Sequence, residues 1–87
     1  MSINLTVSDL FRRGAIPAAD VHAAADAYLT NPQVGLLPLG TIYAVNVAVA
    51  VEADGLACRM LGDPGVALPA KRAAARTAIL LARPQKR

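Results

Sequence analysis

A chain of 87 residues with a net charge of +3 and one cysteine excludes a multidomain enzyme and an internal disulfide. It describes one small domain that buries roughly 60–65% of its unfolded surface, and a lone Cys58 suits a reducing, cytoplasmic setting. The hydrophobic fraction of 55% is inflated by alanine, with only Phe11, Tyr28 and Tyr43 as aromatic side chains.

At the N-terminus, Asp9, Arg12 and Arg13 interrupt any apolar run, so no secretory signal segment is expected. Ser8 is placed to cap a short helix over residues 9–13, with Asp9 at its positive start, the two arginines at its negative end and Gly14 as a left-handed stop. Pro17 then suits the first position of a second helix over residues 17–30, because its missing N–H needs no partner there. Val21, Ala25 and Tyr28 share one face, Asp20, His22 and Asp26 face water, and Asn31-Pro32 ends the helix.

Residues 27–51 carry no formal charge, which raises the possibility of a membrane span of about 20 apolar residues. Pro32, Gly35, Pro38, Gly40 and Asn46 interrupt that run. A small holin-like membrane protein, with the basic C-terminus on the cytoplasmic side, is therefore the competing reading. The preferred one places a short strand at 34–37, a turn at 38–40 and a strand over 41–51. Tyr43, Val45, Val47, Val49 and Val51 alternate with smaller residues at the strand period of two. Asp54-Gly55 then signals a tight hairpin turn, with Leu56, Cys58 and Met60 on one face of a returning strand. In this scheme Cys58 is a core thiol and Asn46 lies on an exposed sheet face.

Gly62-Asp63-Pro64-Gly65 reads as a turn, without the Gly-Lys-Ser/Thr that a phosphate loop requires. Residues 69–82 read as the last helix, ending before Pro84, with 84–87 as a basic tail. Projection at about 100° per residue places Ala70, Ala73, Ala74, Thr77, Leu80 and Leu81 inward. Arg72, Arg76 and Arg83 line up opposite, with an exposed Ile79 among them.

Charge is uneven along the chain. Residues 1–51 hold two arginines against three aspartates, a net −1, whereas residues 52–87 hold seven basic and three acidic side chains, a net +4. No acidic residue follows Asp63, so Lys71, Arg72, Arg76, Arg83, Lys86 and Arg87 have no neighbour in sequence to neutralise them. Such an end suits phosphate or an acidic protein surface, or serves only to keep an alanine-rich domain soluble. Catalysis is not indicated: His22 and Asp26, four apart on a helix, have no third group to orient a base. No set of residues has metal-ligand spacing, and no cofactor or small-molecule substrate is implied.

The order of helix, short strand, long strand, Asp-Gly hairpin and Gly-rich turn, followed by Ala70-Lys71-Arg72-Ala73-Ala74-Ala75, resembles the double-stranded-RNA-binding domain. That resemblance implies an α-β-β-β-α fold, with Lys71 matching the last lysine of the family's phosphate-clamping cluster. Ala67 and Leu68 stand where the family has its earlier lysines, and Leu36-Leu37-Pro38-Leu39-Gly40 replaces its Gly-Pro-x-His loop. The same hairpin, turn and alanine-rich helix are similar, more loosely, to small phage-encoded anti-CRISPR proteins, which implies a minimal inhibitor that covers a surface of a larger machine.

The sequence thus predicts an α+β domain with its core over residues 17–83: N-terminal helices, an antiparallel hairpin or three-stranded sheet, and a C-terminal helix packed on the sheet. Its predicted role is that of a non-enzymatic module binding a protein or nucleoprotein through Lys71, Arg72, Arg76, Ile79 and Arg83. RNA binding is the alternative with a nucleic-acid partner.

Overall fold

A computed structural model describes residues 5–86. Its elements are α1 (Val7–Arg12), α2 (Ala18–Thr30), β1 (Leu36–Leu39), β2 (Tyr43–Asn46), α3 (Val47–Ala53), α4 (Gly55–Gly62), α5 (Leu68–Leu81) and β3 (Gln85–Lys86). The domain is α+β, and among the described residues the three strands form one antiparallel sheet of order β1-β2-β3.

Local signals account for the N-terminal half. Thr6, rather than Ser8, starts α1: its hydroxyl accepts the Asp9 amide, and the Asp9 carboxylate accepts the Thr6 amide, a reciprocal cap that satisfies two backbone donors. Helix α1 stops at Gly14, with φ +79°, where the Gly14 amide bonds Phe11 O and the Ala15 amide bonds Leu10 O. This pair of bonds is the Schellman closure, and it favours glycine because other residues resist positive φ. In α2, Val21, Ala24 and Ala25 are buried.

β1 and β2 pair from Leu36↔Asn46 to Leu39↔Tyr43. The turn between them includes Gly40, with φ +67°, where a Cβ would lie 2.6 Å from Ala15 O. Pro38 has no N–H to donate, which suits a strand at the sheet edge.

The expected hairpin over residues 42–61 does not form. β2 ends at Asn46, whose side chain accepts the Val49 amide at 3.1 Å and caps α3. The valine run also fits a helix: Val47, Ala50 and Val51 lie at i, i+3 and i+4 and are buried, while Val49 is 58% exposed. Asp54-Gly55 is a helix start. The Asp54 carboxylate accepts the Leu56 and Ala57 amides, both at 3.1 Å. Gly55 is not among the glycines with positive φ, so the backbone that an Asp-Gly hairpin turn requires is absent there. The third strand comes instead from Gln85–Lys86, pairing Ala44↔Gln85 and Tyr43↔Lys86. The order around the sheet is therefore α-α-β-β-α-α-α-β, not the α-β-β-β-α of the double-stranded-RNA-binding domain, and residues 85–86 are strand rather than tail.

Helix α5 is the hub, packing on α2, α4, α3 and α1. Its buried residues are Ala74, Ala75, Ala78 and Ile79, and three alanines on that face let neighbouring backbones approach closely. The Val7 amide bonds Ala82 O at 2.9 Å, tying the start of α1 to the end of α5. The Cα radius of gyration is 12.1 Å, close to the roughly 12 Å typical of a folded chain of this length.

Candidate functional site

The five residues predicted to form a working surface do not share one. Arg72 and Arg76 are exposed on α5, one turn apart. The Arg72 Nε donates to Asp26 Oδ1 of α2 at 2.6 Å, with both side chains about half exposed, so part of its charge is neutralised within the chain. Lys71 is half-buried. Arg83 lies beyond Ala82, the C-cap of α5, whose extended backbone (φ −74°, ψ 156°) turns the chain out of the helix. It therefore cannot complete a helical stripe with Arg72 and Arg76.

Ile79 is not exposed: it is 0% accessible and among the largest fully buried side chains. The inward face of α5 follows Lys71, Ala74, Ala75, Ala78, Ile79 and Ala82, whereas Ala73, Thr77 and Leu81 face outward. Projection placed the face wrongly because the alanines at 73–75 offer no contrast in hydrophobicity. Ile79, Leu80 and Leu81 gain similarly from burial, so hydrophobicity alone does not choose among them, and the core takes Ile79 because it shares a face with Ala75 and Ala78.

Exposed apolar side chains lie elsewhere, at Phe11, Leu36, Ile42, Val49, Leu56, Leu68 and Leu81, and two of them, Val49 and Leu81, meet at one groove. An open groove of about 690 Å³ runs between β2, α3 and the C-terminal end of α5, a volume within the range of ligand sites. Ala44, Ala50, Ala78 and Ala82 are small lining residues that leave it space, while Val49 and Leu81 stand 58% and 63% exposed at it. Asp54 and Arg83 are its charged lining residues. Both capping residues that sequence reasoning misassigned, Asn46 and Asp54, line this groove: by ending β2 and opening α4 they create it. The detectable signal was an Asn or Asp placed immediately before a helix-compatible apolar run.

Other candidates resolve differently. Asp20 does not merely face water, because its carboxylate accepts the Gly40 amide at 2.6 Å. Cys58 is exposed on α4 rather than in a core strand. The Tyr28 hydroxyl has its pKa pushed up, first by burial and then by the nearby Cys58 and Glu52 charges. Among the described residues no group of three or more His, Cys, Asp or Glu side chains could hold a metal ion. No helix among them is long and apolar enough to cross a membrane. Comparison of the chain with family models, curated proteins and solved structures finds no match.

Proposed function

We propose that the chain is a non-enzymatic binding module that docks on a partner protein through the groove between β2, α3 and the end of α5. One observation carries this reading: two large apolar side chains, Val49 and Leu81, stand mostly exposed beside an open, alanine-lined hollow. Concave apolar surface with a few charged groups is where protein binding energy concentrates. The anchoring role expected of Ile79 passes in this reading to Leu81 and Val49. Arg83 supplies charge at the same place, whereas Arg76 lies on α5 outside the groove lining. An inhibitor that covers a working surface of a larger assembly, as the anti-CRISPR resemblance implies, would act by this kind of docking.

The test is affinity capture from the native host with the wild-type chain and with Leu81→Glu and Arg76→Glu, read by quantitative mass spectrometry. A groove-docking module keeps its partner in Arg76→Glu and loses it in Leu81→Glu. Equal recovery by all three proteins would overturn the reading.

A second reading, contact with RNA through Lys71, Arg72 and Arg76, is favoured by the absence of acidic residues after Asp63. It requires binding of duplex RNA that weakens steeply with added salt and survives Leu81→Glu.

A further inference from the structure

A second hollow, of about 530 Å³, lies between α2 and the turn of the sheet, and it shares no lining residue with the groove at Val49 and Leu81. We infer that it takes a lysine or arginine side chain of a partner protein, with the cationic head at Asp20 and the apolar stem along α2. Asp20, Ala23 and Ala27 of the lining come from α2, and Leu37, Pro38 and Gly40 from β1 and the turn after it. Positions 20, 23 and 27 follow the three-and-four spacing of one helix face. They span about 10 Å at 1.5 Å per residue, room for the four-carbon stem of a lysine to lie along the alanines.

The charge of this hollow is unbalanced. Asp20 is the only charged residue of the lining, and among the described residues it makes no ion pair; the bridge from α2 joins Asp26 to Arg72. Its Oδ2 accepts the Gly40 amide at 2.6 Å, a neutral donor that leaves the negative charge in place. Asp20 also lies in the first turn of α2, where the helix dipole favours the ionised form. A half-buried carboxylate at the end of an apolar wall is matched by a side chain of the same build, which lays its methylenes on apolar surface and keeps its charge at the wet end. A phosphate strand would meet a like charge there. A free small molecule is held less well, because ligand sites enclose most of the ligand and fix it with several polar groups. Here one carboxylate does so, and Ala23 and Pro38 lie exposed. A side chain delivered by a larger surface needs no such enclosure.

The test follows the amide resonances of the full chain labelled with nitrogen-15 during titration with three blocked heptapeptides. The first probe has one central lysine flanked by alanines. The second replaces the lysine with norleucine, which keeps the stem without the charge, and the third replaces it with glutamate. The lysine probe is expected to shift the amides of Asp20, Ala23, Leu37 and Gly40, and to bind at least about threefold more tightly than either twin, the scale of one partly exposed ion pair. Asp20→Asn keeps an acceptor for the Gly40 amide but removes the charge, so it should erase the preference for lysine. Ala23→Lys sets a cation beside Asp20 from an exposed helix position that tolerates lysine well. It should abolish binding of the lysine probe, and it serves as the test if Asp20→Asn fails to fold.

Equal binding of the lysine and norleucine probes, or an undiminished preference in a folded Asp20→Asn or Ala23→Lys chain, would overturn the cation site. Absence of shifts at the hollow with every probe would reduce Asp20 to a clamp on the turn. Binding of n-butylammonium as tight as that of the lysine probe would replace the protein side chain with a free amine. Shifts of the same amides on raising the concentration of the chain alone would replace the partner protein with a second copy.

Discussion

The Asp20 carboxylate accepts the Gly40 amide at 2.6 Å across twenty residues of sequence, joining the first turn of α2 to the tight turn of the sheet. Gly40 occupies a left-handed backbone site, and a Cβ there would press on Ala15 O, a backbone atom that cannot rotate away. Gly40→Ala therefore combines left-handed strain of about 1–2 kcal/mol with a backbone clash. It should cost more than about 2 kcal/mol in urea unfolding. Asp20→Ala removes a charge-assisted hydrogen bond and should cost about 1.5–3 kcal/mol. Because the two groups share one contact, the double variant should lose less than the sum of the singles. Full additivity would mean that Gly40→Ala leaves the Asp20 contact undisturbed.

Asn46 decides where the strand ends. Asn46→Ala deletes the α3 cap and should cost about 1 kcal/mol. Asn46→Val is the sharper variant, since it completes the alternating valine pattern from Tyr43 to Val51 and gives a longer strand its best chance. With the helix as the native state, Asn46→Val should be at least as destabilising as Asn46→Ala and keep the wild-type far-ultraviolet circular dichroism. A stabilised protein with a stronger sheet signal would show that the strand pattern outweighs the cap.

This competition explains which parts of the fold were legible in the sequence. The α1 stop at Gly14, helices close to 17–30 and 69–82, and the α+β class all rest on signals with one physical meaning, such as a left-handed glycine or a proline at a helix start. The stretch 43–61 carries two meanings. Valines at every second position satisfy a strand, while Val47, Ala50 and Val51 satisfy a helix, and Asp-Gly serves a hairpin turn as readily as a helix cap. The groove was hidden for the same reason, because it exists only once Asn46 and Asp54 act as caps. The basic residues were legible as charge. Their separation into Arg72 and Arg76 on α5 and Arg83 beyond it depends on where the helix ends, which Pro84 bounds only loosely.

Acid should loosen the N-terminal helix through Asp9. Its carboxyl is held below the ordinary value of 3.8, chiefly by the Thr6 backbone amide and hydroxyl and secondarily by Arg12 and Arg13. A group whose folded pKa is lowered stabilises the fold above its unfolded pKa, and that contribution fades as pH falls through the lowered value. The melting temperature of Asp9→Ala should therefore lie below wild type near neutral pH, with the gap closing below about pH 3.8. A gap that stays constant into strong acid would assign the effect to packing instead of the carboxylate.

Ile79 and the arginines beside it separate folding from binding. Ile79→Ala opens a cavity under α5 and should cost about 2–5 kcal/mol of stability. Arg76→Glu touches no partner side chain among the described residues and should leave stability within about 0.5 kcal/mol of wild type. Arg72→Glu breaks the bridge to Asp26. Both groups are about half exposed, so water and salt screen the pair, and its loss should cost at most about 1 kcal/mol, less in high salt. Reversing the pair as Arg72→Asp with Asp26→Arg should recover most of that cost, whereas Arg72→Glu alone adds a repulsion to the lost attraction. If Ile79→Ala melts like wild type while Arg72→Glu unfolds the domain, the assigned rotation of α5 is wrong, and its arginines rather than its isoleucine face the core.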